Sequence, residues 1–207
     1  RDVYKRQDYD HVDCFADLDA VIDTFMQFAD NLPDGGQLVL PAFDGNIARM
    51  LQQLRESRVQ AGRPMPDLVF FGSENDLHDG QRPDFYYRNL TYNDGFPCVD
   101  VWHGEEIYCR LQLIIPGKHN VDNTLAAIAC AHGNGGTPEA VSRSLPFFQG
   151  AEGRFTYTGN YRGARVIADY AHHPSAARAT LSAASHVPHQ HTWVVFQPLT
   201  YSRTRVL

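Results

Sequence analysis

The 207-residue sequence has no apolar run that approaches the roughly 20 residues needed to cross a bilayer, and no apolar segment follows its charged first residues as in a signal peptide. It has no excess of positive charge: 18 Lys and Arg oppose 24 Asp and Glu, a net charge of −6. That balance argues against general binding to nucleic acid or anionic membranes. Its four cysteines include no CxxC pair, which favours reduced thiols in a cytoplasmic protein over a disulfide framework.

Hydrophobic residues make up 43% of the chain and charged residues 20%, values typical of a globular protein rather than a disordered one. Apolar residues recur at helical spacing over 15–31 and 46–57, and short apolar runs at 37–41 and 67–72 predict strands. This alternation is typical of a layered α/β domain. From residue 85, three strand-like runs punctuated by Asp94-Gly95 and Gly104-Glu105 predict an antiparallel meander.

Two further helices are predicted, one after the "PGKHN" turn and one from Thr137-Pro138 to about Phe147. Near residue 150 the pattern starts again, with "ARVIA" as a strand, a helix from Pro174 to about His186, and "TWVVF" as a second strand. This order predicts a βαβ unit with parallel strands. We therefore expect one domain over 8–149 and the start of another over 150–207.

Polar side chains follow both strands of the predicted βαβ unit, in "DYAHHP" and in "QPLTYSRT". Because parallel strands bring their carboxyl ends to one edge of the sheet, these two loops are expected to share a crevice. The expected group is Asp169, Tyr170, His172, His173, Tyr201 and Arg203. The alternative for the histidine pair alone is a solvated turn that caps the next helix.

Two other segments carry candidate binding residues. In "GKHNVDN", Asn120 and Asn123 are three residues apart on a helix, so their amides face the same way and suit a purine edge. An N-cap followed by an exposed asparagine explains the spacing equally well. In "YDHVD", an Asp-His pair that includes His11 could contribute to a metal site, and a surface or capping histidine is the alternative.

Several other conspicuous residues are predicted to be structural. His186, His189 and His191 lie in a polar loop and are assigned to solvent rather than to a metal. The aromatic residues Trp193 and Phe147 are predicted to be in the core, with Trp102 and Phe148.

Five stretches occur here in the order found in the Mur ligases: "DHVD" (10–13), "GKHNVDNTLAAIA" (117–129), "GRF" (153–155), "DYAHHPS" (169–175) and "FQPLTYSRT" (196–204). The chain resembles this family from about residue 8 to its end. The resemblance implies an α/β fold: the C-terminal part of the central ATPase domain, with a mixed sheet and antiparallel meander, followed by the start of a Rossmann-like domain. Residues 1–7, "RDVYKRQ", do not resemble the family and are treated as an artefactual leader.

The resemblance is strongest to members that join L-alanine to UDP-N-acetylmuramate in peptidoglycan precursor synthesis. It implies ATP and Mg²⁺, an acyl-phosphate intermediate, and negative charge that cationic groups stabilise. By position, His11 resembles a magnesium ligand, and Asn120 and Asn123 resemble the amides that recognise adenine. Arg154 and Asp169 resemble ATP-binding residues. Tyr170, His172 and Arg203 resemble the group around the incoming amino acid.

The chain also departs from the family pattern. No segment matches the glycine-rich phosphate loop, so an internal fragment that is inactive alone is expected. Leu199 stands where the family usually has histidine, and Gly153 where a second arginine is common. Ala168 and Ala176 occupy positions that are often acidic.

Three alternatives to the L-alanine ligase remain open at this point. The first is the sister ligase that attaches recycled murein peptide to the same sugar nucleotide. The second is a metal-dependent hydrolase using His172, His173 and Asp169. The third is a nucleotide-binding module without catalytic activity.

Overall fold

The computed structural model describes residues 2–3 and 14–198, and its main feature is a six-stranded mixed sheet. The strands lie in chain order: β1 (Asp2–Val3), β2 (Gln37–Pro41), β3 (Asp67–Ser73), β4 (Phe85–Asn93), β5 (Phe96–His103) and β6 (Glu106–Gln112). Strands β1 to β4 run parallel, and β4, β5 and β6 form the predicted antiparallel meander. The mixed α/β class expected from the sequence is confirmed. Residues 2–3 nevertheless pair with β2, although they belong to the segment 1–7 that was expected to be an artefactual leader.

Helices cover both faces of this sheet: α1 (Leu18–Asp30) and α2 (Asn46–Gln60) on one side, and α3 (Lys118–His132) on the other. The alternation along β2 explains the two layers, because successive strand residues point to opposite faces. Leu38 and Leu40 are buried in the cluster that includes α1 and α2, whereas Val39 is buried in the cluster that includes α3. Each face of the sheet therefore has its own apolar core.

The turns of the meander follow from residues that tolerate positive φ. Asp94 and Gly95 both have positive φ, 50° and 88°, the combination that a two-residue hairpin turn requires. Gly104 has a φ of 59° in the second turn. In this register Cys98 pairs with Gln112 and not with Cys109, so the two thiols do not face each other, and all four cysteines are free.

The chain continues through α4 (Pro138–Ser144) and a 3₁₀ turn (Leu145–Phe147) into a second, two-stranded sheet. Strands β7 (Thr156–Tyr161) and β8 (Ala164–Ala168) form an antiparallel hairpin, and α5 (Pro174–Ser185) follows. Thr137 caps α4, since its Oγ1 accepts a hydrogen bond from the Ala140 N–H at 3.3 Å. The predicted α4 and α5 are thus confirmed.

The prediction of a second strand in the βαβ unit is wrong, because the described residues do not form it. Residues 191–198 have no helix or strand, and the side chains of Trp193 and Val195 are 91% and 100% exposed. A strand is stabilised by a hydrogen-bonded neighbour, and here β8 pairs with β7 instead. The core assignments of Trp193, Phe147 and Phe148 are wrong, because all three side chains are exposed.

The C-terminal end of α5 packs against the β4–β5 hairpin. The rings of Tyr92 and His186 are stacked, with centroids 3.6 Å apart and planes 6° from parallel, so His186 is not simply a solvent-facing residue. Gly95 lies so close that a Cβ atom there would be 2.7 Å from the Val187 Cγ2. This contact joins the six-stranded sheet to the segment that follows residue 150.

None of the helices in the described ranges combines the length and apolar character needed to cross a membrane.

Candidate functional site

The loop after β8 is organised around the Asp169 carboxylate. One oxygen, Oδ1, accepts the Ala171 N–H at 2.7 Å. The other, Oδ2, accepts the Phe155 N–H at 2.9 Å and the Thr180 hydroxyl at 3.1 Å. Because a carboxylate offers about four acceptor sites, these three bonds use most of its capacity. Asp169 therefore ties together its own loop, the segment before β7, and α5.

Three of the predicted site residues meet beside this carboxylate: Arg154, Tyr170 and His172. The Arg154 guanidinium lies 5.8 Å from the centroid of the Tyr170 ring, and the His172 ring meets that of Tyr170 edge-on at 5.0 Å. The Tyr170 N–H donates to the Gly153 carbonyl at 2.8 Å, which holds the two loops side by side. A guanidinium, a phenol and an imidazole thus share one partly exposed surface, a combination suited to anionic groups and proton transfer.

The adjacent histidine has a different role. His173 is the N-cap of α5, with extended φ and ψ of −84° and 143°, as expected for a residue before proline. Its Nδ1 accepts the Ser175 N–H at 3.2 Å. His173 and Asp169 are therefore engaged with different backbone donors rather than directed at one ion. Among residues 2–3 and 14–198, no group of three or more histidine, cysteine or carboxylate side chains could hold a metal.

The two asparagines at the start of α3 form a hydrogen-bonded pair. The Asn123 Nδ2 donates to the Asn120 Oδ1 at 3.2 Å, and the Asn120 Nδ2 donates to the Pro116 carbonyl at 2.7 Å. The two amides therefore lie on one side of the helix, as their spacing predicts. Their role toward a purine stays a prediction.

Next to this pair lies a lysine cluster that was not predicted from the sequence, formed by Lys118, Asp122, Tyr87 and Phe43. The Lys118 ammonium lies 3.2 Å from the Asp122 Oδ1 and lies over the rings of Tyr87 and Phe43 at 5.4 and 5.6 Å. The Lys118–Asp122 spacing of four residues is a sequence signal for an ion pair. Nothing in the sequence indicates that Tyr87 and Phe43, from β4 and the loop after β2, would join them.

Burial and charge act in opposite directions at this cluster. Burial by itself lowers the pKa of Lys118, but the Asp122 carboxylate and the Tyr87 hydroxyl outweigh it and leave the pKa above its ordinary value. Burial raises the pKa of Tyr87, and the Lys118 ammonium opposes that shift only in part. Lys118 is therefore a fixed positive charge, and the Tyr87 hydroxyl stays protonated through the neutral range.

Phe43 also lines a cleft of about 450 Å³ at the carboxyl ends of β2 and β3. Its walls are the loop after β2 (42–45), Ala48 and the loop after β3 (75–79). Open α/β sheets bind ligands at this edge, and the volume lies within the range of about 300–1,000 Å³ that is usual for small-molecule sites. The amide pair, the lysine cluster and this cleft thus adjoin one edge of the main sheet.

Contact between α3 and α5 connects the amide pair, Asn120 and Asn123, with the group of Arg154, Tyr170 and His172. At the N-terminus of α3, Gly117 has a φ of 96°, and a Cβ atom there would lie 3.0 Å from the Cβ of Ala183 in α5. This close approach brings the helix of the amide pair against the helix that follows the Asp169 loop.

Two of the predicted site residues, His11 and Arg203, lie outside the described residues, as do Tyr201 and Leu199. The predicted convergence of the loop containing Arg203 with the Asp169 loop therefore stays a prediction.

Comparisons with known proteins agree with the sequence resemblance. Residues 7–131 match the family model described as the Mur ligase middle domain, and residues 153–206 match the model described as the Mur ligase glutamate ligase domain. The UDP-N-acetylmuramate–L-alanine ligase of Clostridium acetobutylicum is 36% identical over 198 residues, or 95% of this chain. The corresponding ligase of Alkaliphilus metalliredigens is 36% identical over 201 residues, or 97% of this chain. The chain spans 40% of the length of each of these relatives.

Solved structures share the fold. The crystal structure of MurF from Acinetobacter baumannii matches 88% of this chain and 36% of its own, with a TM-score of 0.71 and 19% identity. UDP-N-acetylmuramate–alanine ligase MurC from Thermotoga maritima matches 86% of this chain and 36% of its own, with a TM-score of 0.64 and 24% identity. At these identities the structures support the fold alone, but the match of the middle-domain model to more than half of the residues shows the family. The chain belongs to the Mur ligase family.

Proposed function

We propose that the complete protein containing these residues is a cytoplasmic, ATP-dependent ligase that joins L-alanine to UDP-N-acetylmuramate in peptidoglycan precursor synthesis. The observation that supports this most is the cluster of Arg154, Tyr170 and His172 around Asp169, in the loops beside β7 and β8. The Asp169 carboxylate accepts a hydrogen bond from Thr180 of α5, and α5 packs against α3, the helix that carries the paired asparagines. The names of the relatives at 36% identity, which match nearly all of the chain, favour L-alanine and UDP-N-acetylmuramate as substrates.

We also propose a division of the chain near residue 150, between the central domain and the C-terminal domain. Under this division, Asn120 and Asn123 contribute to adenine binding beside the cleft at the carboxyl edge of β2 and β3. Lys118 holds their helix to Phe43 and Tyr87. Arg154 reaches the phosphates from the other side of the boundary, where its delocalised charge suits phosphate oxygens.

The proposed reaction has two steps. A carboxylate oxygen of the muramate first takes the γ-phosphoryl group of ATP, and ADP leaves. The amine of L-alanine then attacks the acyl carbon, the bond to phosphate breaks, and the nitrogen loses a proton. Tyr170 and His172 are proposed to contact the amine and the developing charge, and Arg203 is proposed to bind the L-alanine carboxylate. Mg²⁺, with His11 as a candidate ligand, would supply positive charge to the phosphate oxygens when bound.

The test is ADP release by the complete protein, measured with a coupled assay in the presence of ATP, UDP-N-acetylmuramate and L-alanine. We expect release that depends on both acceptor substrates. If ADP is released with recycled murein peptide in place of L-alanine, the protein is the recycling ligase. If ADP is released with neither L-alanine nor the peptide, the ligase assignment is refuted.

A matched pair of histidine variants tests the site itself. His172→Ala is expected to lower kcat by about a hundredfold or more, as for loss of a group that transfers protons or stabilises charge. His189→Ala removes an exposed imidazole from the loop after α5 and should leave kcat unchanged. Equal rates for the two variants would remove His172 from the site.

A further inference from the structure

The hydroxyl of Thr180 is directed at the Asp169 carboxylate. Thr180 lies in the middle of α5, where a threonine hydroxyl commonly bonds to a carbonyl of the preceding turn of its own helix. Here its Oγ1 instead donates to the Asp169 Oδ2 at 3.1 Å, the same oxygen that accepts the Phe155 N–H at 2.9 Å. One carboxylate oxygen thus links a helix to a loop that is 25 residues earlier in the sequence.

The loop that this oxygen holds is conformationally unfavourable. Gly153 has a φ of 73°, and Phe155 has a φ of 47°, in the left-handed region that a bulky residue rarely adopts. Such a conformation persists only when surrounding contacts over-determine it. The hydrogen bond from the Phe155 N–H to Asp169 is one of these contacts. Arg154 lies between the two residues, so its backbone depends on the same bond.

The other oxygen of Asp169 fixes the opposite loop. Oδ1 accepts the Ala171 N–H at 2.7 Å, between Tyr170 and His172. The orientation of one carboxyl group therefore decides where the Arg154 guanidinium lies relative to the Tyr170 ring, now 5.8 Å from its centroid. Without the Thr180 hydroxyl, the side chain of Asp169 has one fewer donor to hold Oδ2 toward Phe155.

We infer that Thr180 is a positioning residue: through Asp169 it holds Arg154 and Tyr170 in the geometry that the reaction uses. The catalytic part of this inference rests on the proposed ligase function, and the structural part does not. Thr180 itself is not expected to contact a substrate.

Three variants of the complete protein test the inference. Thr180→Val removes the hydroxyl at constant shape, and Thr180→Ser retains it. Thr158→Val is the matched control, because the Thr158 hydroxyl also donates a hydrogen bond at 3.1 Å, but to the Val166 carbonyl within the β7–β8 hairpin. Thr180→Ala serves as a second variant without the hydroxyl, should valine prevent folding.

The first measurement is hydrogen exchange resolved to single amides. Thr180→Val should speed exchange of the Phe155 amide by about tenfold, the loss of roughly one hydrogen bond of local stability. Exchange in the β4–β5 hairpin should not change. Thr180→Ser and Thr158→Val should leave the Phe155 amide at its wild-type rate. An unchanged Phe155 amide in both Thr180→Val and Thr180→Ala would overturn the inference.

The second measurement is steady-state kinetics. Thr180→Val should lower kcat by about tenfold through misplacement of Arg154 and Tyr170, with the KM for UDP-N-acetylmuramate unchanged and activity restored in Thr180→Ser. If Thr180→Val only reduced the amount of active protein, kcat would fall in proportion to the folded fraction. Thr180→Ser would then not selectively restore it. If the wild-type protein releases no ADP, the proposed function fails, while the exchange measurement still decides the positioning role.

Discussion

Arg58 is the residue whose replacement should be most damaging to the fold. Its side chain is 0% exposed, and its guanidinium closes the C-terminal end of α1. The group donates to the Asp30 carboxylate at 2.9 Å and to the carbonyls of Ala29, Asp30, Leu32 and Pro64 at 2.7–3.3 Å. Arg58→Met keeps the unbranched stem and removes all five hydrogen bonds.

The loss of stability in Arg58→Met depends on the polar groups that lose their arginine partner. The Asp30 side chain is 27% exposed and can recover hydration, so its loss of an ion pair is only part of the effect. The carbonyls of Ala29 and Leu32 lose the Arg58 donors but keep the Leu32 N–H at 3.2 Å and the Arg63 guanidinium at 2.7 Å, so neither is left unpaired. The Pro64 carbonyl also loses its Arg58 donor. A hydrogen bond to a charged group contributes about 1.5–3 kcal/mol, and Arg63 retains part of this network, so we expect the free energy of unfolding to fall by about 2–4 kcal/mol.

The assay is urea unfolding followed by far-UV circular dichroism. Arg55→Met is the control, since Arg55 is exposed on the same helix, and it should change the free energy of unfolding by less than about 0.5 kcal/mol. Arg58→Lys keeps the charge but lacks the planar guanidinium, so its free energy of unfolding should lie between those of Arg58→Met and Arg55→Met. If Arg58→Met were as stable as Arg55→Met, the apolar side chain would have compensated for the lost network, and the reasoning from the five lost hydrogen bonds would be refuted.

Three further predictions concern individual side chains. Burial raises the pKa of Cys109 to about 11, so that about one part in a thousand is thiolate at pH 8, and mass mapping should find the exposed Cys14 alkylated first. Burial, and then the nearby His132, lower the pKa of His103 below 6.5. The unfolded chain therefore binds this proton first, and the urea midpoint should fall as the pH drops below 6.5, less steeply in His103→Phe. A double-mutant cycle of Tyr92→Ala and His186→Ala should give a coupling of about 0.5–1.5 kcal/mol, and zero coupling would contradict the stacking.

The elements of the main sheet could be predicted because their signals are local. The apolar spacing of α1, the short apolar run of β2 and the Asp94-Gly95 turn each depend on a few adjacent residues, and all three are confirmed. The strand expected over 192–196 failed because an apolar run indicates only that a strand is possible, whereas pairing depends on which neighbour is available. Strand β8 illustrates this, since its partner is the hairpin strand β7.

The candidate site was predictable in its residue types and less so in its contacts. The motif "DYAHHP" placed Asp169, Tyr170 and His172 together in one loop, and the structure shows that Arg154, a site residue implied by the family resemblance, lies beside them. Thr180 carried no signal, because one hydroxyl in a helix of small residues is ordinary in sequence. The different tasks of the two histidines also could not be separated, since capping depends on backbone angles that the sequence leaves open.

The turn between β4 and β5 faces a double constraint. Hairpin turns at the surface usually tolerate insertions and substitutions, because little else touches them. Here the turn glycine lies against Val187, and the stacked pair of Tyr92 and His186 lies beside it. Lengthening this turn by one residue would therefore change the angle between two parts of the chain that are nearly a hundred residues apart in sequence, and relatives with a longer turn should carry a compensating change at the end of α5.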